Sequence, residues 1–196
     1  MRSISYSTED LVQAAASVAG QIGVIWQAFY YDVPKHLGLG RVFAFELGEV
    51  TCMACYFFLK EPVEVKRTGS DSNNIVLDLL SIGEFKLTDP LKRERVGFNH
   101  YVSRSKVESM GLLEPKVPYF QVSFSIKPSD LGNLDFVDAH PEEVYPLEDL
   151  DEEIVRAAVN ESIRQIVDSE DPKAIQREIK RQLSIVLEEF VRFTKR

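Results

Sequence analysis

The cysteines are the residues whose spacing is most suited to chemistry, because Cys52 and Cys55 form a C-x-x-C motif. Two thiolates at this spacing can act as a redox pair or supply half of a zinc site when they lie in a turn or at a helix N-terminus. Here both lie inside an apolar stretch typical of a strand, where residues three apart point to opposite faces. No second C-x-x-C motif and no closely spaced histidine pair is present. The sequence therefore predicts two buried free thiols, no metal ion and no cofactor.

The other side chains with catalytic potential are isolated from one another. The three histidines lie far apart in sequence, and no G-x-S-x-G, H-E-x-x-H or Walker-type motif is present. A catalytic set can still be assembled from residues that are distant in sequence. An enzyme with an unrecognised site is therefore kept as a third hypothesis, less favoured than two binding hypotheses. Its candidate residues are Cys52, Cys55, His100 and Asp78.

Charge is sorted along the chain, whose formal net charge is −8. Segment 135–153 contains nine acidic residues and no Lys or Arg, whereas segments 92–106 and 173–196 each carry a net charge of +4. Surfaces of opposite sign steer the association of proteins. The residues that we expect at such an interface are Lys92, Arg93, Arg95, Arg104, Lys106, Glu142, Glu143, Asp149, Asp151 and Glu152.

Two other interpretations of the basic segment 92–106 stay open. It could meet the acidic segment within the same chain instead of in a neighbouring molecule. Its aromatic residues Phe98 and Tyr101 could also stack on nucleobases while the basic residues contact phosphates. The acidic net charge makes nucleic acid the less favoured partner.

The N-terminal part of the chain has the periodicity of a helix of about six turns. Apolar residues recur at spacings of three and four from Leu11 to Phe29, which gives one apolar face. Ser7 is a suitable N-cap, and Asp10 favours the positive end of a helix. Val33 precedes a proline, which disfavours its α conformation. The sequence predicts one helix between Ser7 and Val33.

Segments rich in β-branched and aromatic residues occupy the middle of the chain and predict strands. These predicted strands are 41–47, 49–60, 62–67, 74–80, 84–87 and 118–127. Gly48 predicts a turn or bulge between the first two. A run of turn-forming residues at 68–73 predicts a hairpin between the third and the fourth.

Two of these strands show contrasting patterns of hydrophobicity. Both faces of 49–60 are apolar, which is typical of a central strand covered on two sides. In 118–127, apolar residues alternate with Gln121, Ser123 and Ser125. This alternation predicts a strand with one face in solvent.

The C-terminal third is predicted to be an acidic loop at 129–146 followed by two amphipathic helices. The first helix spans 150–167 with Asp149 as its N-cap. The second begins at Asp171, a capping residue followed by proline at the first helical position. A chain of 196 residues suits one domain. We therefore predict one domain over 1–196, in which 147–196 could form a helical subdomain.

The predicted fold class is α+β: a mostly antiparallel sheet of about five or six strands, with the N-terminal helix and the two C-terminal helices packed on it. The first functional hypothesis is a non-enzymatic interaction or assembly protein that self-associates or meets a protein partner. The second is a module that binds a small apolar ligand in a cavity between sheet and helix. The aromatic residues expected to line that cavity are Tyr30, Tyr31, Phe43, Tyr56 and Phe58.

The expected location is the cytoplasm. No apolar run reaches the ~18 residues that a membrane-spanning helix needs. The most apolar stretch is preceded by Glu9 and Asp10, whereas a signal peptide carries positive charge at that place.

Overall fold

The structure is a computed structural model, which describes residues 2–82, 85–88, 94–95, 100–139, 141–147 and 152–196. Side chains are described for these residues except within 80–95 and at 136, 139 and 152. The helices are α1 (Leu11–Gln21), α2 (Asp135–Ala139), α3 (Glu152–Asp168) and α4 (Pro172–Thr194). The strands are β1 (Arg2–Ser7), β2 (Tyr30–Asp32), β3 (Gly38–Leu47), β4 (Val50–Leu59), β5 (Val63–Thr68), β6 (Ile75–Ile82), β7 (Phe85–Thr88), β8 (Glu94–Arg95), β9 (His100–Arg104), β10 (Ser109–Leu113), β11 (Pro118–Ile126) and β12 (Val144–Pro146).

The strands form two sheets that face each other. A five-stranded sheet has the order β1-β5-β10-β7-β8, and a seven-stranded sheet has the order β12-β9-β6-β11-β4-β3-β2. The β1–β5 pairing is parallel, and the other strand pairings of the described residues are antiparallel. The α+β class with mostly antiparallel pairing is confirmed. The prediction of one sheet of five or six strands is wrong, because it counted too few strands and missed the second sheet.

The predicted hairpin between 62–67 and 74–80 does not form. Strands are present at both places, but β5 belongs to the five-stranded sheet and β6 to the seven-stranded sheet. The turn-forming residues between them therefore carry the chain from one sheet to the other. The same turn-forming residues occur in a hairpin turn and in a connection between two sheets. The sequence pattern therefore could not distinguish these two structures.

The single N-terminal helix predicted between Ser7 and Val33 is much shorter in the structure. Ser7 ends strand β1, and Asp10 is the N-cap of α1, accepting hydrogen bonds from the backbone N–H groups of residues 12 and 13. The helix ends near Gly23, whose positive φ of 76° suits glycine and stops the helical conformation. The apolar residues beyond it pack in extended segments, including β2, instead of continuing the helix face.

The outer face of the seven-stranded sheet packs on the two C-terminal helices. Phe43, Phe124 and Leu77 from the sheet share one buried cluster with Ile179 of α4 and Val159 of α3. Asp171 caps α4 as predicted, and Pro172 is its first residue. Amphipathic helices need such a partner because most of their stability comes from burying one face. The helices of 147–196 thus share a core with the sheet.

The inner face of the same sheet is covered by two different elements. Helix α1 packs on β3 and β4, where Ala15 and Val18 contact a cluster containing Val42 and Cys55. The five-stranded sheet covers the rest of this face. Leu113 of its strand β10 belongs to the same buried cluster as Tyr119 of β11. Strand β4 is therefore covered on both faces, as its apolar pattern predicted.

The prediction that β11 has one face in solvent is wrong. Ser123 and Ser125 are buried, with 1% and 3% of their surfaces exposed. Ser123 bonds to Asp78 between the sheets, and Ser125 donates a hydrogen bond to the Glu9 carbonyl just before α1. Polar residues on a strand indicate a solvent-exposed face only when no other element covers that face. Here the face of β11 is covered by other parts of the protein.

Segment 129–146, predicted as a loop, contains three short regular elements in the described residues. These are a 3-10 helix at Pro128–Asp130, the helix α2 and the strand β12, which pairs with β9. Helix α3 begins at Glu152, and the predicted cap Asp149 lies outside the described residues. Within the part of the chain that is described, no helix has both the length and the hydropathy needed to cross a membrane.

Candidate functional site

A layer of buried polar side chains lies between the two sheets and is centred on Asp78 of β6. Asp78 is 4% exposed. Its Oδ1 atom accepts a hydrogen bond from the Ser123 hydroxyl and another, of 3.1 Å, from the Gln121 amide of β11. The β6–β11 register places Asp78 opposite Ser123, so both inward-facing side chains meet directly.

Arg67 of β5 crosses from the opposite sheet to form an ion pair with this carboxylate. Its Nη1 atom lies 3.7 Å from Asp78 Oδ2, and both side chains are 5% exposed. Its Nη2 atom donates a 2.6 Å hydrogen bond to the backbone carbonyl of Arg104. Burial raises the pKa of Asp78, and Arg67 and the two hydrogen bonds oppose that shift. Arg67 therefore contacts two strands of the seven-stranded sheet, β6 through Asp78 and β9 through the Arg104 carbonyl.

The hydrogen bonding of this layer is incomplete. The Nε–H group of Arg67 has no hydrogen-bond acceptor among the described residues, although Arg67 is 4% exposed. The Ser103 hydroxyl, on the strand that supplies the Arg104 carbonyl, is also without a hydrogen-bond partner in the described part of the chain. A buried polar group without a partner costs about 1–3 kcal/mol. Such groups are rare in native proteins and are usually explained by a bound water or ion, by strain or by a catalytic role.

An apolar cavity of about 70 Å³ lies beside this polar layer. Its lining residues come from both sheets and from α1: Ile4, Tyr6, Val18, Tyr31, Val42, Met53, Cys55, Phe57, Val65, Leu113 and Gln121. A second cavity of about 60 Å³ adjoins it and shares Ile4, Val18 and Phe57 with it. Gln121 both lines the first cavity and bonds to Asp78, so the polar layer lies directly behind the cavity wall.

Two tyrosines, Tyr6 and Tyr31, are part of the cavity wall. Burial raises the pKa of Tyr6 and of Tyr31 far above the ordinary value for a phenol. Both side chains therefore stay protonated near neutral pH and can donate a hydrogen bond. The ring of Trp26 packs edge-to-face on Tyr31, with 6.1 Å between centroids, and this contact holds the Tyr31 ring in place.

The two cysteines are free and buried, as the sequence predicted. They lie on opposite faces of β4. Cys52 faces the helices, and Cys55 lines the cavity, where its thiol contacts the carbonyl of Gln121 at 3.5 Å. Burial raises the pKa of Cys55 to about 12 and that of Cys52 further still. Thiols that stay protonated are poor nucleophiles and poor metal ligands.

The structure does not bring the four candidate catalytic residues together. Asp78 and Cys55 face the space between the sheets, whereas Cys52 faces the helices. His100 precedes Tyr101, the residue opposite Asp78 in the β6–β9 register, so His100 points to the other face of the sheet. Among the described residues, no group of three or more His, Cys, Asp or Glu side chains could hold a metal ion.

The aromatic residues predicted to line a cavity are divided between the two faces of the sheet. Tyr31 lines the cavity. The other four lie on the helix-facing side: Phe43, Tyr30 and Tyr56 in or against the helix cluster, and Phe58 exposed. Sequence analysis missed Arg67, Tyr6 and Gln121. A signal did exist, because inward-facing polar residues repeat along β11, but their direction depends on the second sheet.

One of the residues predicted at a charged interface forms an ion pair within the chain, because Arg104 pairs with Asp138 of the acidic segment. Strand β12 of the acidic segment also pairs with β9 of the basic segment. Lys106 and Glu142 are exposed, and Glu143 is half-buried. Lys92, Arg93, Asp149 and Asp151 lie outside the described residues, and for Arg95 and Glu152 only the backbone is described.

Comparison with known proteins gives similarity of structure only. No protein-family model matches the sequence, and no curated protein matches it significantly. The AraC-like transcriptional activator CuxR is 9% identical with a TM-score of 0.46, and the match covers 77% of this chain and 55% of that protein. This chain thus spans about half the length of CuxR.

Two cupin domains are also similar to part of the chain. The cupin domain of an XRE-family transcriptional regulator from Enterobacter cloacae is 13% identical, with a TM-score of 0.38 over 44% of this chain and 95% of that one. A cupin domain from Bordetella pertussis Tohama I is 14% identical, with a TM-score of 0.36 over 48% of this chain and 99% of that one. Similarities of this size assign neither a family nor a function.

The burial of both thiols predicts that they are inert in the native state. Iodoacetamide at mildly alkaline pH should leave native protein unmodified over a period in which protein unfolded in urea is labelled at both cysteines, as measured by intact mass. The variant Cys52→Ser serves as control, because it assigns any labelling to Cys55. Rapid labelling of native Cys55 would contradict the burial of this thiol. It would support the hypothesis of an enzyme with a catalytic cysteine.

Proposed function

We propose that this protein binds a small, uncharged and mainly apolar molecule in the cavity between its two sheets. The observation that carries the proposal is the cavity itself, which is apolar along most of its wall and ends at Tyr6 and Gln121 in front of the buried polar layer. A mostly apolar pocket with a few convergent polar groups is the usual form of a small-molecule site.

The charges around the cavity favour an uncharged ligand. None of the residues that line the first cavity is charged. Arg67 and Asp78, behind the cavity wall, already face each other. Arg2 lines the adjoining cavity, but its side chain is exposed to solvent. A ligand ion would therefore lose its hydration without gaining an opposite charge, and that cost is high in a buried site.

The volume restricts the ligand to roughly one ring. The two adjoining cavities measure about 70 and 60 Å³. For comparison, an engineered cavity of ~150 Å³ binds benzene. Both volumes together are smaller than that cavity, so a single ring is the upper limit of ligand size and short aliphatic molecules are also accommodated.

Toluene is a suitable first probe because it is uncharged and has one ring. We expect toluene to raise the midpoint of thermal unfolding in a concentration-dependent way, since binding to the native state alone stabilises it. The variant Val65→Phe should abolish this rise, because Val65 lines the cavity and the larger ring would occupy the space. Scanning calorimetry measures both midpoints.

The matched control is Ile185→Phe, which places the same ring at an exposed position of α4. It should keep the full response to toluene. No response in the wild-type protein, or an equal response in the Val65→Phe variant when that variant is folded by circular dichroism, would refute binding in this cavity.

Self-association is the second candidate function, and one surface groove favours it. Leu39 of β3 and Val167 of α3 are 63% and 55% exposed, and both line an open groove of about 440 Å³. Asp32, Arg41 and Glu170 also line it. A groove that carries an apolar stripe and both signs of charge can complement a second copy of itself across a two-fold axis.

Introducing negative charge into the apolar stripe tests this candidate. We expect the wild-type protein to sediment as a dimer and the double variant Leu39→Glu/Val167→Glu to sediment as a monomer, because buried carboxylates oppose the contact. Ile25→Glu is the control, since Ile25 is exposed but does not line the groove. A wild-type monomer at every ionic strength, measured by analytical ultracentrifugation, would rule out self-association.

A further inference from the structure

The first cavity, of about 70 Å³, and the second, of about 60 Å³, have overlapping walls. From this overlap we infer that they are the two halves of one elongated site, whose preferred ligand is an unbranched aliphatic chain. The chain has about five carbons, because the two volumes together are slightly smaller than the ~150 Å³ that holds the six carbons of benzene. This inference rests on the proposed function, since it names the shape of the molecule bound in the same space.

The first observation is that the two cavities share at least half of their walls. The side chains that line both come from α1 and from five strands of the two sheets, so they surround the place where the cavities meet. These shared residues are Ile4, Val18, Tyr31, Val42, Phe57 and Leu113. All of them are apolar except for the hydroxyl group of the tyrosine, so the junction suits a hydrocarbon.

The second observation is that the cavities lie end to end along the strands. In β4, Cys55 lines only the first cavity, Phe57 lines both, and Leu59 lines only the second. Alternate residues of a strand point to the same face and follow one another along its axis. The order of these three residues therefore places the junction between the two cavities on the strand axis.

Strand β1 shows the same order from the opposite sheet. Tyr6 lines only the first cavity, Ile4 lines both, and Arg2 lines only the second. Arg2 is exposed, so the second cavity is the half that lies nearer to solvent. A ligand chain can therefore extend inward from this end and keep a polar group at its outer end in water.

Two valines of β5 separate the halves of the site. Val65 lines only the first cavity and Val63 only the second. Residues two apart on a strand lie about 7 Å from each other along its axis. The same substitution at these two positions therefore fills one half or the other, which makes them a matched pair for an experiment.

An unbranched chain fits this shape better than a ring. Each cavity alone has less than half of the ~150 Å³ that holds benzene. A ring must therefore straddle the junction and displace the side chains that surround it, whereas a flexible chain passes through the junction and contacts both halves. Contacts that a poorly fitting molecule fails to make are lost outright.

The test measures dissociation constants by NMR titration for 1-propanol, 1-butanol, 1-pentanol and cyclopentanol. The hydroxyl group keeps these probes soluble. The proteins are the wild type, Val63→Phe, which fills the second cavity, and Val65→Phe, which fills the first. Ile185→Phe is the control, because it places the same ring at an exposed position of α4.

We expect the affinity of the wild-type protein to rise about fourfold with each CH₂ group from 1-propanol to 1-pentanol, as burial of one CH₂ group predicts. Cyclopentanol should bind more weakly than 1-pentanol. In Val63→Phe and in Val65→Phe, 1-pentanol should bind no more tightly than 1-propanol binds to the wild type, a loss of about fifteenfold. Ile185→Phe should keep the wild-type values.

If a phenylalanine variant does not fold, the wild-type protein itself gives the answer. Nuclear Overhauser contacts should join the methyl group of 1-pentanol to one of the two valines, Val63 or Val65, and its hydroxyl-bearing carbon to the other. Contacts from the whole molecule to a single valine would contradict the elongated site.

The outcomes separate this inference from the function on which it rests. If 1-pentanol binds but cyclopentanol binds as tightly, or Val63→Phe leaves the affinity for 1-pentanol unchanged, the elongated site is refuted. The proposed function then still stands on the toluene response and its loss in Val65→Phe. If neither toluene nor 1-pentanol binds, the proposed function fails.

Discussion

The burial of the Arg67–Asp78 pair is the constraint on which the arrangement of the two sheets depends. Removing both charges from water costs several kcal/mol per ion, and the cost is recovered only when partners are placed well. Strand β5 must therefore present Arg67 across the interior at the height where β6 presents Asp78, and β11 must supply Ser123 and Gln121 in register. This requirement fixes the relative position of the sheets more specifically than apolar packing does, because apolar contacts tolerate sliding.

The two faces of the seven-stranded sheet perform different tasks. The outer face is apolar, and Phe43, Phe120 and Leu77 are buried under α3 and α4. Burial of this kind contributes about 1.5–3 kcal/mol for each large side chain. The inner face mixes Asp78 and Ser123 with aliphatic residues and leaves a cavity. Stability is thus concentrated on the helix side, while the inner side contains buried polar groups with incomplete hydrogen bonding.

The sequence was informative about local elements and poor on how they assemble. The strand pattern of β4, the turn at Gly48 and the Asp171 cap of α4 were predicted, because each depends on neighbours in sequence. The second sheet was missed, since strand pairing depends on contacts between distant residues. That omission also produced the error at Ser123 and Ser125, whose polarity was taken as a sign of solvent. The same limit applied to the candidate site. Asp78 was predicted as a candidate residue from its side-chain type, but its partner Arg67 was not, because the two residues meet only through the pairing of distant strands.

A double-mutant cycle on the buried pair tests the central claim most directly. The free energy of unfolding in urea would be measured for the wild-type protein, Arg67→Met, Asp78→Leu and the double variant. Each single variant leaves one buried charge unpaired and should lose about 3–5 kcal/mol. The double variant should be more stable than either single variant, because it contains no unpaired charge. Additive losses, with the double variant less stable than both, would show that Arg67 and Asp78 do not depend on each other and would contradict this account of how the sheets are held together.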